Sequence, residues 1–360
     1  MQSLAAEASD SLIAVSPLVY LGFIGFVIAM LLVDLKLFHA DEHEPTMRES
    51  LSWVIVWVTL AVAFGIGLWV LQGGTKAGEY FAGYLIEYSL SVDNMFVFLL
   101  IFSYFAVPLA YQHQVLFYGI LGAIIFRGIF IALGAALVHN FEWVIYVFGA
   151  FLIYTAIRIA RGGAEVHPDE NPILNLVQRR FPSTKRYDGQ KLFTVENGKR
   201  VATPLLVTLI FVELTDIVFA VDSIPAVYGI TSDPFIVLTS NVFAILGLRA
   251  LYFLLAGSLE KFHLLRYGLA VILGFVGVKM LLEAVDVEIP IWMSLTVIVV
   301  VLATTIVLSL LIKPSAEAQR EASQIGFPSV EEANRLHNQQ AEEDEKRRAE
   351  EENGTGEVAS

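Results

Sequence analysis

The 360-residue chain contains no cysteine. That absence excludes disulfides, thiolate metal sites and cysteine nucleophiles, so any metal must be held by oxygen or imidazole. Charge is scarce as well. Asp, Glu, Lys and Arg make up 16% of the residues and hydrophobic residues 56%, with a mean hydropathy of +0.66. These values lie outside the soluble range and point to a polytopic membrane protein. No basic residue precedes the first apolar run, so the segment from Met1 to Pro17 lacks the charged start of a cleavable signal peptide. The net charge of −13 is unevenly spread. From Lys313 onward, 12 acids stand against six basic residues, so roughly half of the net charge belongs to a solvated tail.

What the chain has in abundance is apolar runs. A helix needs about 20 apolar residues to cross a bilayer, and stretches of that order recur at 17–38, 51–71, 80–105, 114–137, 142–160, 203–228, 234–256, 265–284 and 290–312. Gly73-Gly74, Pro108, Pro204, Pro234 and Pro290 punctuate several of the joints. The expected fold is all-α, a polytopic membrane protein of about nine transmembrane helices. The tail at 313–360 is acidic and poor in apolar residues, with a short helix at about 329–350, and is expected to be largely disordered.

Lys and Arg accumulate on the cytoplasmic side of membrane proteins. The loop at 161–202 contains Arg161, Arg179, Arg180, Lys185, Arg186, Lys191, Lys199 and Arg200, so it is read as cytoplasmic, with one strand-like patch at Lys191 to Val195. Counting outward places residues 1–16 outside as an extracytoplasmic tail and the C-terminus inside. Segments one to five occupy 17–160 and segments six to nine occupy 203–312. Lys76 is the one basic residue on the wrong side of this solution.

Carboxylates inside apolar spans are costly and mark function by default. Two short stretches carry them: Glu87-Tyr-Ser-Leu-Ser-Val-Asp93-Asn94, and Glu213-Leu-Thr-Asp216-Ile-Val-Phe-Ala-Val-Asp222-Ser223. Aligned on Asp93 and Asp222, Glu87 falls on Asp216. Each stretch opens a block of three segments with an arginine in the second, Arg127 and Arg249. The blocks, about 80–160 and 203–284, hold an odd number of spans, so the second is inverted relative to the first. Inverted repeats with a midplane site where the halves meet are a known transporter plan.

Helix geometry limits how the acids cooperate. Residues three apart, such as Glu213 and Asp216, share a face, whereas Glu213 and Asp222, nine apart, point in opposite directions. Either the helix breaks near Ser223 and Pro225, or the ligands come from both repeats. The antiparallel arrangement then predicts two acidic levels about 9 Å apart: Asp93 with Asp216 and Glu213, and Glu87 with Asp222. With Asn94, Ser223 and Asn241 as auxiliary groups, the oxygen-rich set suits Mg²⁺, Ca²⁺ or Mn²⁺. Protonation of some of the acids would couple metal to proton movement. Arg127 and Arg249 either neutralise the acids as buried ion pairs or line the pathway as internal cations.

At both acidic stretches, and at Thr231-Ser-Asp-Pro-Phe-Ile-Val-Leu-Thr-Ser-Asn241-Val-Phe-Ala-Ile-Leu-Gly-Leu-Arg249, the sequence resembles the TerC family of integral membrane proteins, in particular its bacterial branch called Alx. The resemblance covers about residues 15–312 and stops before the tail. It implies export of Mn²⁺ from the cytoplasm across the bacterial inner membrane, with Glu87, Asp93, Glu213, Asp216 and Asp222 in the positions of the family's intramembrane acids. The partners it implies are a divalent metal ion as transported substrate and the lipid bilayer, with no organic cofactor, no nucleic acid and no enzymatic activity. Two competing readings are a channel or exchanger for Ca²⁺ or Mg²⁺, and a membrane assembly or sensor protein. An aspartyl intramembrane enzyme would need a G-x-G-D-type motif that neither acidic stretch has.

Overall fold

The computed structural model describes residues 17–38, 46–141, 143–161, 184, 187–196, 198–256, 264–283, 285, 287, 289–312 and 335. The expected extracytoplasmic tail (1–16), most of the 161–202 loop and the acidic tail lie outside these residues. Among the described residues are ten helices and two strands. The helices are α1 (Pro17–Phe38), α2 (Met47–Gln72), α3 (Gly74–Tyr104), α4 (Leu109–Asn140), α5 (Val144–Ala160), α6 (Pro204–Tyr228), α7 (Pro234–Leu246), α8 (Leu248–Ala256), α9 (Leu265–Glu283) and α10 (Ile291–Leu311). The strands β1 (Phe193–Glu196) and β2 (Lys199–Ala202) separate α5 from α6.

Each of the nine expected apolar segments is helical, and α7 with α8 makes one of them. Six helices are individually long and apolar enough to cross a membrane, and the α7–α8 pair, bent by 41°, raises the number to seven. Two further apolar helical stretches, Pro17–Val33 in α1 and Val144–Ala160, are shorter. At 1.5 Å per residue each falls a little short of a hydrocarbon core of about 30 Å, so length and composition support fewer spans than the nine expected.

Local chemistry sets the helix boundaries. The Thr46 hydroxyl accepts from Glu49 N at 3.3 Å while Glu49 Oε2 accepts from Thr46 N at 2.8 Å, a reciprocal cap on α2. The chain leaves α2 through Gly73, whose φ of +91° suits a residue without a Cβ. Asp233 caps α7 through Phe235 N at 3.0 Å, with Pro234 at the first helical position.

The described chain gathers into two compact units, one of 1–97, 120–166 and 215–324, the other of 98–119, 167–214 and 325–360. In the first unit, aromatic side chains of α1, α2, α3 and α7 pack together, among them Phe23, Trp57, Tyr80, Phe235 and Phe243. A second cluster joins α3, α5, α6, α9 and α10. The α5–α9 crossing is close because glycines meet: a Cβ on Gly277 would stand 2.8 Å from the Gly149 carbonyl oxygen, and one on Gly149 would stand 3.0 Å from that of Gly277. Small residues admit such approach where lipid gives no hydrophobic drive.

Of the six long apolar helices, α3 is the most enclosed by protein. Three-quarters of its apolar window is buried, against 22% for α2, 28% for α4 and 17% for α10. The last three therefore turn most of their apolar surface outward, as helices bathed in lipid do. At the start of α3, Lys76 Nζ pairs with Glu79 at 3.0 Å and with Asp233 at 3.2 Å, and the Thr231 hydroxyl donates to Glu79 at 2.6 Å. Two carboxylates therefore neutralise Lys76, which accounts for its misplacement under the positive-charge rule.

In the second unit, β1 and β2 pair antiparallel with Phe193 opposite Ala202, turning at Gly198. The strand-like patch expected at Lys191 to Val195 is the first arm of this hairpin; its partner strand was not anticipated. Arg200 stacks over the Phe193 ring at 4.4 Å, and buried Tyr187 donates to the Phe105 carbonyl at 2.8 Å. Asp188 accepts from the Thr194 hydroxyl at 2.8 Å and from Lys191 Nζ at 3.0 Å. The Thr194 bond first, and Lys191 second, hold the Asp188 carboxyl below its ordinary range.

Candidate functional site

Three helices of the first unit bring charge together in its interior. Glu87 comes from α3, Arg127 from α4, and Asp216 and Ser223 from α6. Glu87 is 0% exposed, Arg127 and Ser223 1%, and Asp216 5%. Arg127 forms a two-pronged pair with Asp216, Nε to Oδ2 at 3.1 Å and Nη2 to Oδ1 at 3.0 Å. Its Nη1 donates to Glu87 Oε1 and, at 3.3 Å, to Ser223 Oγ. All three guanidinium nitrogens are therefore engaged, the geometry in which arginine binds carboxylates most strongly.

Packing one helical turn away fixes this arrangement. Gly83, one turn before Glu87, lets α3 approach α6 and α7, since a Cβ there would meet Ser240 Oγ at 3.0 Å and Val227 at 3.2 Å. On α4, the Ile131 carbonyl, one turn after Arg127, accepts from the Tyr228 hydroxyl at 2.7 Å. Gly134 makes room for that ring, which would lie 2.8 Å from a Cβ. Tyr228 thereby clamps α4 against the end of α6 and sets the height at which Arg127 meets Asp216.

The electrostatics are unbalanced. One guanidinium faces two carboxylates, and Glu87 Oε2 is buried without a hydrogen-bond donor among the described residues. Buried charges removed from water are expensive unless fully paired. The cluster thus holds one more carboxylate than guanidinium, and Glu87 carries the oxygen left without a donor among the described residues.

The other expected site residues lie on α3, α6, α7 and α8. Asp222, half-buried on α6, accepts from Thr155 Oγ1 on α5 at 3.3 Å. Thr155 was not anticipated: as a lone hydroxyl in an apolar helix it carried no spacing signal. Asn94 is buried on α3. Asp93 lies on the same helix, but its side chain is outside the described set. Glu213, one turn before Asp216, is half-buried, with one carboxylate oxygen lacking a hydrogen-bond donor among the described residues. Asn241 on α7 is fully buried, and neither amide atom finds a partner among the described residues. Arg249 on α8 is buried at 3% exposure.

The two-level arrangement needs correction. Glu87 and Asp216, expected on separate levels, meet on the same guanidinium. Asp222 instead bonds to Thr155. The cause is that register along two helices does not fix which side chain of a third helix enters between them. α6 runs unbroken through Pro225, so of the two routes open to the acids, Glu87 and Asp216 take the one that joins separate helices, α3 and α6. Among the described residues, no three His, Asp or Glu side chains converge as a ready-made metal site, because Arg127 stands between the carboxylates.

The fold and this centre define an integral membrane protein of several apolar helices around a buried guanidinium–carboxylate cluster. The chain belongs to the TerC family: the description "Integral membrane protein TerC family" matches residues 72–317, a span that includes every residue of the cluster. Among its relatives, "Uncharacterized membrane protein STKORF319" of Myxococcus xanthus is 50% identical over 298 residues, 82% of this chain and 93% of that protein. "Putative membrane-bound redox modulator Alx" of Escherichia coli (strain K12) is 45% identical over 320 residues, 85% of this chain and 98% of that protein. "Thylakoid membrane protein TERC, chloroplastic" of Arabidopsis thaliana is 49% identical over 275 residues, 76% of this chain and 72% of that protein. No solved structure matches.

Proposed function

We propose that the protein exports Mn²⁺ from the cytoplasm across the inner membrane, with its N-terminus outside and its C-terminus inside. In this reading the α3–α5 and α6–α9 blocks are inverted halves, and the metal passes between them. The observation that carries it is the buried junction of Glu87, from the first half, with Asp216, from the second, through Arg127. A costly charge cluster at the meeting of two repeats is the expected place for an ion site in such a plan.

The donors suit a hard divalent ion. Carboxylates of Glu87, Asp93, Glu213, Asp216 and Asp222, with Asn94, Ser223 and Asn241 as auxiliary oxygens, offer oxygen ligands alone. Pro225 adds one more, because it removes the helical donor that the Val221 carbonyl would otherwise have, next to Asp222. The same donor chemistry suits Ca²⁺ and Mg²⁺, and Mn²⁺ is preferred on the family resemblance. The redox role in the name of the E. coli relative belongs to that protein; a chain without cysteine supports no thiol–disulfide exchange of its own.

The test is Mn²⁺ accumulation in cells lacking other Mn²⁺ exporters. Wild type lowers cellular Mn²⁺ and restores Mn²⁺ tolerance, and Asp216→Asn and Asp222→Asn, at normal protein levels, do not. Tolerance and metal content equal to wild type in both variants would sink the exporter reading.

A further inference from the structure

The cluster raises a question that export alone leaves open: what neutralises the carboxylates when no metal is bound. We propose that Arg127 is a resident cation of the pathway, which leaves Glu87 and Asp216 when a divalent ion arrives and returns when the ion departs. The inference rests on the Mn²⁺ export reading and names the residue that competes with the ion.

Three observations carry it. First, Arg127 uses Nε, Nη1 and Nη2 together, occupying both oxygens of Asp216 and one of Glu87. A hard dication takes about six or more oxygen ligands, so these lone pairs cannot serve the guanidinium and the metal at once. Second, arginine does not deprotonate in proteins. It therefore vacates the site only by moving, unlike a lysine or histidine that could lose its charge in place. Third, Glu87 Oε2 is buried without a donor among the described residues, so an incoming cation has one open oxygen from which to begin displacing Nη1.

The consequence is a return step that needs no counter-ion from solution. A pathway emptied of metal would otherwise have to change conformation with two buried, unpaired carboxylates, at a high desolvation cost. With Arg127 back between them, both carboxylates of the metal-free protein are paired with a cation, and only one negative charge is left uncompensated. Arg127 thus lowers the apparent affinity for the metal in exchange for release and return. An ion that binds only the arginine-displaced state binds more weakly by the fraction of time that state exists. Tyr228, bonded to α4 one turn past Arg127, and Gly134, two turns past it, fix α4 against α6 and set how far Arg127 has to travel.

The experiment compares purified full-length wild type, Arg127→Gln and Arg127→Lys. Free Mn²⁺ is measured by electron paramagnetic resonance during titration, and Tm is measured with and without Mn²⁺. Arg127→Gln is expected to bind Mn²⁺ at least about ten-fold more tightly than wild type and to export less. Its Tm should rise with Mn²⁺ more than that of wild type, because the metal replaces the missing charge. Arg127→Lys, which keeps the charge but loses the fork, should fall between the two in affinity. Recovery of folded Arg127→Gln only in the presence of Mn²⁺ would also support the proposal. Equal or weaker affinity in folded Arg127→Gln, with no extra stabilisation by Mn²⁺, would overturn it and leave Arg127 a structural clamp. Failure of that variant to fold with or without Mn²⁺ would overturn it equally. If folded wild type and variants all fail to bind Mn²⁺, the export reading itself is wrong, a result distinct from the others.

Discussion

Arg127 is one positive charge held between two negative ones, and that imbalance decides how substitutions at the cluster should differ. Removing Arg127 leaves Glu87 and Asp216 buried and unpaired; breaking a buried pair from one side typically costs about 3–5 kcal/mol. Replacing Asp216 by Asn leaves Arg127 with Glu87, a neutral pair, and forfeits a charge-assisted fork, on the order of 1–3 kcal/mol. Arg127→Ala should therefore melt at a lower temperature than Asp216→Asn in metal-free detergent solution. The reverse order would show that the guanidinium, and not the carboxylates, is the group the fold finds hard to bury.

Among the elements, the apolar helices were the most legible part. Continuous apolar runs, broken at Gly73, Pro204, Pro234 and Pro290, placed most helix ends to within a few residues, because lipid demands backbone hydrogen bonds satisfied within a segment. They missed the starts of α3 (80 against Gly74) and α4 (114 against Leu109). Other features were hidden for physical reasons. The bend between α7 and α8 occurs at Gly247 without a proline, and the space there is set by Trp57, to whose Cβ a Cβ on Gly247 would stand 3.3 Å away. The hairpin needs Lys199–Ala202 to pair with a strand that is barely apolar. The five candidate acids and two arginines could be picked out by their cost in an apolar run. Their pairing could not, because whether Glu87 meets Asp216 or Asp222 depends on the rotation of α4, which places Arg127. The α5–α9 contact gives a direct test at this scale. A valine at Gly277 would drive its Cβ to within 2.8 Å of the Gly149 carbonyl oxygen. Overpacking of this kind costs about 1–3 kcal/mol. Gly277→Val should lower Tm accordingly, while Gly128→Ala, where a Cβ meets nothing within 4 Å, should leave it near wild type.

For the whole molecule, the inverted halves and the orientation are the claims most open to experiment, and the absence of cysteine makes them simple to probe. Any cysteine introduced is the only reactive thiol in the chain. Asn140, exposed at the end of α4, is predicted to face the outside, and Lys191, 67% exposed beside the hairpin, the cytoplasm. In intact inner-membrane spheroplasts, a membrane-impermeant maleimide should label Asn140→Cys at once and Lys191→Cys only after permeabilisation. Opposite labelling would reverse the orientation, and labelling of both from one side would remove the odd number of spans on which the inversion depends.

The central claim is that buried carboxylates shared by the two halves carry Mn²⁺ across the membrane. Flux into proteoliposomes loaded with a Mn²⁺-sensitive dye tests it most directly. Wild type should admit Mn²⁺ well above protein-free vesicles, and folded Asp216→Asn should lose at least about ten-fold of that rate, equivalent to about 1.4 kcal/mol of barrier. A wild-type flux equal to that of protein-free vesicles, or an undiminished flux through Asp216→Asn, would contradict the account.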